Sequence, residues 1–490
     1  MEQQEIQTLR ALMEYEAART EPPESFPHLP DIPAGRYTDP RFFELEQAEI
    51  FKKSWLFAAH LDEIPEPGCY MKWEQAGEPV VLVHTEQGEV KAFYNVCSHR
   101  GAPIVTEPKG KRLRLTCKYH GWSYSLDGEL KAIKDPEDFK SLDFSCRSLA
   151  DIRCETFGKF IFVNFDPDAV SLLDWLGPIA DEWQEFQFDQ CRLSARHSFD
   201  LDCNWKIAME ANTEVYHVPN IHPTTVAPLL DHRRNVNTLY ANGHGRMVAP
   251  PPRIDEKQDA ESTRDVGARA EIVTVGEIAR TCIQSYGIFP NWVSQLTEFV
   301  LAPLLFWPNG IDKCRLECWT IAPDWGDGEG PDYWTVNNGE RLCDILLEDT
   351  EFGTQIQRSM ESPGFKGVPL SYQEARIYHW NQNADRMIGL DKIPTELAVQ
   401  QVIGEEWVYP NDPRGAELKY PVTPWVNAPP RANFSTRFLS AGHYSSPTCW
   451  RFISRQIRHC GQQVLLWLNA CMTIHTGRAL HTPWPSQPVA

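Results

Sequence analysis

The stretch CSHRGAPIVTEPKGKRLRLTCKYHG, from Cys97 to Gly121, contains two short pairs of metal-binding side chains. Cys97 and His99 form the first pair, Cys117 and His120 form the second, and seventeen residues separate the two pairs. Thiol and imidazole groups in such close pairs indicate a metal site rather than chance. Each pair mixes a cysteine with a histidine, whereas zinc fingers usually keep their cysteines together and their histidines together.

The mixed pairs favour an iron–sulfur cluster in which two cysteines bind one iron and two histidines bind the other, the Rieske [2Fe–2S] arrangement. Two neutral imidazoles in place of thiolates make such a cluster less negative and raise its reduction potential, so it accepts electrons from a reduced carrier. The alternative is a zinc-stabilised structural or binding module, which would be colourless where a Rieske protein is red-brown.

Strand-like segments surround the two pairs. A hairpin is predicted at residues 78–96, EPVVLVHTEQGEVKAFYNV, where apolar and polar residues alternate and the chain turns at Gln87–Gly88. A strand that leads into Cys117 is predicted in RLRLTC. GKFIFVNF at residues 158–165 closes this region. The pattern predicts a small all-β domain over residues 46–165, with the metal-binding pairs on two of its loops.

The fold predicted for the whole chain is α+β. Residues 1–45 are predicted to be a helix and a Pro-rich connector that pack on the larger domain. That domain, residues 166–430, is predicted to hold an antiparallel sheet flanked by helices. Residues 431–490 contain six arginines and no Asp, Glu or Lys. This change of composition predicts a tail outside the main core, either a poorly ordered extension or an altered reading frame.

Charge and hydropathy exclude two classes of partner. The formal net charge is −20, which disfavours nucleic acid because a binder of DNA or RNA needs a basic surface. No apolar run reaches the roughly 18–20 residues of a membrane span, and the acidic N-terminus is not a secretory signal. We therefore expect a cytoplasmic protein whose 14 cysteines are reduced.

A second metal site is predicted in NWKIAMEANTEVYHVPNIHP, residues 204–223. His217 and His222 would lie about 140° apart on a straight helix. Pro219 is predicted to end the helix, which leaves both imidazoles free to reach one ion. Glu214 falls on the same helical face as His217, so one of its oxygens can accept from that ring while the other stays free. The alternative is a helix end with two unrelated histidines.

The third ligand is predicted in RLCDILLEDTEFGTQIQRSM, residues 341–360, taken as a single helix. Asp349 lies within its apolar stripe, whereas Glu348 and Glu351 fall outside the stripe and are predicted to be solvated. A buried carboxylate is costly unless it is paired or binds a cation. Two histidines and one carboxylate form the facial arrangement of non-haem Fe(II) oxygenases. The alternative is that Asp349 sits at the edge of the stripe and reaches water.

The two motifs together give the sequence its resemblance to a known family. CSHRG followed by CKYHGWSYSLDG resembles the cluster motif of the α (terminal oxygenase) subunits of Rieske non-haem iron aromatic-ring-hydroxylating oxygenases. Ala211 departs from the pattern, since many members have Asn there, and the resemblance covers about residues 40–425. The family's other motifs are matched by Asn204-Trp205-Lys206, Glu214, Tyr216-His217, His222, Glu348-Asp349 and Gln357-Arg358.

The resemblance implies the cofactors, the larger domain's helix-grip fold and the assembly. Glu214 would link His217 to His120 of the neighbouring subunit, in a homotrimer with or without a β subunit. The [2Fe–2S] cluster would be bound by Cys97, His99, Cys117 and His120, and a mononuclear Fe(II) by His217, His222 and Asp349.

The resemblance also implies the reaction. The chain would use O2 and NAD(P)H electrons from a separate reductase, with or without a ferredoxin, because it shows no Gly-rich dinucleotide fingerprint of its own. The substrate would be a hydrophobic, aromatic organic molecule that is mono- or cis-dihydroxylated, or O- or N-dealkylated. Val218, Ile221 and the apolar residues 297–307 are predicted pocket walls. The alternative function is a Rieske-type electron carrier, which would leave the second site unused.

A basic run lies beside the cluster motif in this acidic chain. It is either a docking surface for an acidic electron donor or a solvated face. Its members are Lys109, Lys111, Arg112, Arg114 and Lys118.

Overall fold

A computed structural model describes residues 3–252, 270–330 and 338–414. The predicted α+β class is confirmed: helices accompany two large antiparallel sheets. The helices are α1 (Gln3–Ala18), α2 (Gly35–Thr38), α3 (Pro40–Leu45), α4 (Leu172–Leu176), α5 (Pro178–Trp183), α6 (Trp205–Ala211), α7 (Val218–Ile221), α8 (Glu277–Thr281), α9 (Asn338–Thr350), α10 (Gly353–Met360) and α11 (Ala375–Ile388).

The strands fall into two large and two small sheets. In chain order they are β1 (Ile32–Pro33), β2 (Leu56–His60), β3 (Cys69–Trp73), β4 (Val80–His84), β5 (Val90–Tyr94), β6 (Lys109–Lys111), β7 (Leu115–Thr116), β8 (Ser123–Tyr124), β9 (Leu130–Ala132), β10 (Asp151–Phe157), β11 (Phe160–Asn164), β12 (Cys191–Leu201), β13 (Val236–Leu239), β14 (Gly245–Ala249), β15 (Ile283–Ile288), β16 (Trp292–Leu296), β17 (Leu301–Pro308), β18 (Cys314–Pro323) and β19 (Gly367–Val368).

The first large sheet has seven strands in the order β2-β11-β10-β5-β4-β3-β6. The predicted hairpin is present: β4 and β5 pair antiparallel from Val80 with Tyr94 to His84 with Val90, and Gly88 turns with φ +86°. The strand predicted before Cys117 is shorter than expected. Only β7 is extended there, and Leu113 is 85% exposed, because the chain leaves the sheet after β6.

The second large sheet has the order β12-β18-β17-β16-β15-β14-β13. Its strand β17 lies between β16 and β18 and is buried on both faces, as its continuous apolar sequence LAPLLFWP requires. Residues 301–307, which the sequence also predicts as a pocket wall, are therefore buried in the core.

Aromatic side chains join the two large sheets through one core. The ring of Phe57 on β2 lies 5.0 Å from that of Trp292 and 4.9 Å from that of Trp319. Phe162 on β11 stacks on Trp292 at 5.7 Å. Pairs of this kind stabilise beyond the area that they bury, so they fix how one sheet lies on the other.

The N-terminal residues hold the helices that surround the second predicted site. The ammonium of Lys206 on α6 lies 2.7 Å from the carboxylate of Glu46, and both side chains are fully buried. Arg36 on α2 pairs in the same way with Asp385 on α11 at 2.5 Å. Loss of one partner would leave a buried unpaired charge, so these pairs fix α6 and α11 to the connector.

Helix α1 packs with its apolar face on the second sheet, where Ile6 and Leu9 contact the cluster that contains Val236 and Val248. No helix in the described part of the chain combines the length and the apolar composition needed to cross a membrane. The tail predicted over residues 431–490 lies outside the described residues.

Candidate metal centres

The two Cys-His pairs lie on two loops of the same construction. The carbonyl of Cys97 accepts from the N–H of Gly101 at 2.9 Å, and that of Cys117 accepts from Gly121 at 2.9 Å. Both glycines have positive φ, +73° and +75°, a backbone conformation that side chains with a Cβ rarely adopt. A glycine four residues after each cysteine is therefore the feature that shapes both loops.

The loops bring all four predicted ligands together in two pairs. The imidazole rings of His99 and His120 lie 4.6 Å apart, and the thiols of Cys97 and Cys117 are within hydrogen-bonding reach. The hydroxyl of Tyr124 lies 3.3 Å from the sulfur of Cys97, which supports one side of the cysteine pair.

The four donors fit a two-iron cluster better than a single ion. Within the described ranges, the one group of three or more donors whose ligand atoms lie within 4.8 Å of one another is elsewhere in the chain. The pairing of cysteine with cysteine and histidine with histidine matches a two-iron cluster, which takes two thiolates on one iron and two imidazoles on the other. The buried Nδ1 of His99 has no hydrogen-bond partner among the described residues, and burial raises the pKa of the Cys97 thiol. A bound cation would satisfy both groups.

The two histidines of the second site flank α7. His217 directly precedes this single-turn helix and His222 directly follows it. Pro219 sits in its first turn, where a proline costs no hydrogen bond, so it begins a helix instead of ending one as predicted. The helix places both imidazole rings on one side, 5.1 Å apart. The predicted wall residue Val218 instead packs in a small apolar cluster with Leu230.

Asp349 reaches the same point from α9. The predicted single helix over residues 341–360 is wrong: α9 ends at Thr350 and α10 begins at Gly353. At that break a Cβ on Gly353 would lie 3.1 Å from the sulfur of Cys203, a close approach that glycine permits. The helical phase across the break is therefore not a valid argument for Asp349, although this acid does lie beside the two histidines.

The three predicted iron ligands converge. Oδ1 of Asp349 lies 2.7 Å from Nε2 of His222 and 3.3 Å from Nε2 of His217. Burial opposes the charged form of His217, but hydrogen bonds to Asp349 and Glu214 raise its pKa to about 10. Burial would raise the pKa of Asp349, but the two imidazoles lower it. The site thus favours positive charge next to the carboxylate, as a cation site does.

Each histidine of this site has a second carboxylate on its outer ring nitrogen. Nδ1 of His217 donates to Glu214, and Nδ1 of His222 lies 2.6 Å from Oε2 of Glu348. The same oxygen of Glu348 accepts from the hydroxyl of Thr225 at 2.8 Å. Glu348 is therefore not the solvated side chain that its helical phase predicted. Its position next to Asp349 was the one available signal for this role.

Glu214 contacts His217 as predicted, but for a different reason. It lies in the irregular segment between α6 and α7 rather than on a helix, and its Oε2 accepts from the backbone N–H groups of Tyr216 and His217. This oxygen is therefore not free, and the side chain is only 9% exposed. The backbone contacts hold the carboxylate rigidly against the His217 ring.

The basic run beside the cluster is largely neutralised within the chain. Glu107 contacts two members of the run, Arg112 at 2.7 Å and Lys118. Lys109 pairs with Glu63 at 2.6 Å, and Lys111 pairs with Glu66 at 2.7 Å. The run is thus a set of surface ion pairs rather than a patch of unpaired positive charge.

Two family profiles match the chain over the regions that hold these two centres. Residues 54–143 match the Rieske [2Fe-2S] domain, and residues 188–390 match the catalytic domain of the ring hydroxylating alpha subunit. The fold and the donor sets define a protein with a Rieske cluster and a mononuclear iron. The chain belongs to the Rieske oxygenase alpha-subunit family.

Two curated relatives and one solved structure illustrate the similarity. The chain is 36% identical over 203 residues to the glycine betaine monooxygenase oxygenase subunit of Chromohalobacter salexigens. This aligned region covers 41% of this chain and 45% of that protein. It is 36% identical over 195 residues to the carnitine monooxygenase oxygenase subunit of Escherichia coli K12. This aligned region covers 39% of this chain and 52% of that protein. The matched part of the chain thus spans about half the length of these relatives.

The solved structure is that of a quaternary ammonium Rieske monooxygenase studied for carnitine oxidation by gut microbiota. It superposes with a TM-score of 0.63 at 22% identity and covers 76% of this chain and 100% of that one. At this identity the superposition supports the fold.

Proposed function

We propose that the protein is the terminal oxygenase of a multicomponent system that uses O2 and electrons from a separate reductase. The observation that carries the proposal is the convergence of His217, His222 and Asp349 within 4.8 Å, in a chain with a separate Cys₂His₂ donor set. Three ligands on one side leave coordination positions open for O2. An electron carrier would have no use for them.

The residues of each centre have distinct tasks in this proposal. When bound, the cluster supplies single electrons and the mononuclear iron supplies the activation of O2. Cys97 and Cys117 would hold one iron of the cluster, and His99 and His120 would hold the other. Glu214 and Glu348 would fix the tautomers of His217 and His222, so that both Nε2 atoms face the ion.

Surface exposure supports transfer of electrons between subunits. Tyr119, next to the cluster ligand His120, is 58% exposed, and Leu113 is 85% exposed. Tyr216, next to the iron ligand His217, is 57% exposed. Large exposed side chains at both centres suit a ring in which one subunit's cluster faces the next subunit's iron. Glu214 would connect the two centres through a remaining lone pair of Oε1, because Oε2 already accepts from two backbone N–H groups, and we propose a homotrimer.

We propose a quaternary ammonium compound as substrate in place of the aromatic substrate expected from sequence. The similarity to oxygenase subunits for glycine betaine and carnitine supports this choice. In the proposed reaction, O2, two electrons and two protons convert a C–H bond next to the nitrogen into C–OH and release one water. The C–N bond then breaks, the hydroxyl loses its proton, and an amine and an aldehyde leave.

The test is product analysis with reconstituted protein. The chain, loaded with iron and sulfide, is supplied with a surrogate reductase, NADH and O2, and offered glycine betaine, carnitine, benzoate or naphthalene. We expect an amine and an aldehyde from an ammonium compound, and about three irons per chain. Oxidation of the aromatic compounds alone would contradict the substrate class. Two irons per chain without any product would identify an electron carrier.

A further inference from the structure

Arg376, in the first turn of α11, is a buried cation that has no acidic partner among the described residues. The residue is 3% exposed, and within the same part of the chain Nη1 donates to the carbonyl of Thr213 at 2.9 Å and Nη2 to that of Gly245 at 3.4 Å. Nε has no hydrogen-bond partner within the described residues. Buried charges in proteins are normally paired, so the guanidinium of Arg376 could be paired by an anionic ligand.

The sheet makes room for this guanidinium. Gly245 on β14 and Gly287 on β15 are direct cross-strand partners. A Cβ on Gly245 would lie 2.9 Å from Nε of Arg376, and a Cβ on Gly287 would lie 3.0 Å from Nη2. Two facing glycines in paired strands cost sheet stability, and here they create the slot that Arg376 fills.

Arg376 lines a cavity between α6, α11 and the sheet. The cavity holds about 270 Å³ of atom-free space including its mouth, and its other walls include Met209, Val293 and Trp380. Thr213, which accepts from Arg376, is also a wall residue and directly precedes Glu214. The cavity therefore adjoins the segment that carries the proposed iron ligands.

The charge of the cavity limits what it can admit. Burial lowers the pKa of Arg376 to about 9, and among the described residues only Tyr240 opposes this shift. A guanidinium with that pKa is still charged near neutral pH. It would repel a simple ammonium cation, whereas a molecule with a carboxylate at a distance from its ammonium group would meet Arg376 with the opposite charge.

We propose that Arg376 binds the carboxylate of the substrate, so that the enzyme accepts zwitterionic ammonium compounds and rejects those without the acid. This inference rests on the proposed function, because it assigns one end of the substrate to the cavity beside the iron-ligand segment. Arg suits the role because its planar donors match a carboxylate, and a charge-assisted bond in a buried site is stronger than one in water.

The first test uses the parent enzyme and needs no variant. Glycine betaine and carnitine are each compared with their methyl esters, which keep the ammonium group and lose the negative charge. We expect kcat/KM for the acids to exceed that for the esters at least about tenfold. Equal values for acid and ester would overturn the proposal.

The second test uses Arg376→Gln, Arg376→Lys and the control Arg386→Gln, which alters an exposed arginine on the same helix. Arg376→Gln should raise KM for the acid at least about tenfold, with kcat changed little and the ester unaffected. Arg376→Lys should recover part of the loss, and Arg386→Gln should match the parent. An equal loss for acid and ester in Arg376→Gln would indicate a structural role and overturn the proposal.

The two proposals can fail separately. If an iron-loaded enzyme oxidises neither acid nor ester, the proposed function fails, and calorimetric titration with glycine betaine and carnitine decides the inference. A Kd at least about tenfold higher in Arg376→Gln than in the parent would support it. Absence of binding to the parent would overturn it. If Arg376→Gln does not fold, the acid–ester comparison in the parent decides.

Discussion

The two metal centres are built in opposite ways. Around the cluster, each Cys-His pair belongs to one short loop, and a glycine with positive φ follows each pair. At the iron site, His217 and His222 bracket a one-turn helix, and Asp349 comes 127 residues after His222. A centre made of local loops can be read from spacing alone. A centre made of distant elements depends on how those elements pack.

The largest loss of activity should come from removing a ligand of the cluster, the centre built from local loops. Cys97→Ser replaces one of four cluster ligands with a hydroxyl that does not substitute for a thiolate. We expect loss of the visible cluster absorption, loss of turnover, and a fall from about three irons per chain to about one. Cys146→Ser, which alters an exposed free cysteine of the same region, should match the parent. Parental absorption in Cys97→Ser would contradict the cluster assignment.

The complementary experiment removes a ligand of the mononuclear iron site, the centre built from segments that are far apart in the sequence. Asp349→Ala should remove the mononuclear iron, leave the cluster absorption unchanged and lower turnover by more than about 100-fold. Asp344→Ala, at an exposed position on the same helix, is the control. Iron content and product formation are measured on the same preparations. Full iron and turnover in Asp349→Ala would transfer the ligand role to another acid, with Glu348 first.

These two experiments also separate what the sequence could predict from what it could not. The cluster loops, the β4–β5 hairpin and the three proposed iron donors follow from spacing, alternation and ligand chemistry. The break between α9 and α10, helix α7 with Pro219 in its first turn, and the contact of Glu348 with His222 depend on how the segments pack. Arg376 was not predicted because its partners, Thr213 and Gly245, lie far away in the sequence and offer only backbone carbonyls.

A smaller effect is expected where the two centres would communicate. Glu214→Gln keeps the size of the side chain and removes its charge. We expect a retained cluster and retained iron, with product formation coupled to cluster oxidation slowed about 100-fold. Rapid-mixing absorption of the reduced enzyme with O2 and substrate measures this step. A parental rate in Glu214→Gln, or a fully active monomer, would refute the proposed path between subunits.

The smallest effect concerns the carboxylate behind His222. Glu348→Ala leaves the ring nitrogen of His222 without its acceptor, so affinity for Fe(II) should fall about tenfold. Glu348→Gln should recover most of the affinity, because its amide oxygen still accepts from the ring. Glu351→Ala, at an exposed neighbouring position, is the control. Metal titration of cluster-loaded protein gives the affinities, and identical values for all four proteins would show that Glu348 has no such role.

The most direct test of the proposed function is a single turnover of the reconstituted enzyme, which is first reduced without O2. The cluster is reduced chemically, free reductant is removed, and O2 is admitted together with glycine betaine or carnitine. We expect about three irons per chain, cluster oxidation that requires substrate, and an amine and an aldehyde as products. Cluster oxidation at the same rate without substrate, with no product and two irons per chain, would contradict the proposed function and leave an electron carrier.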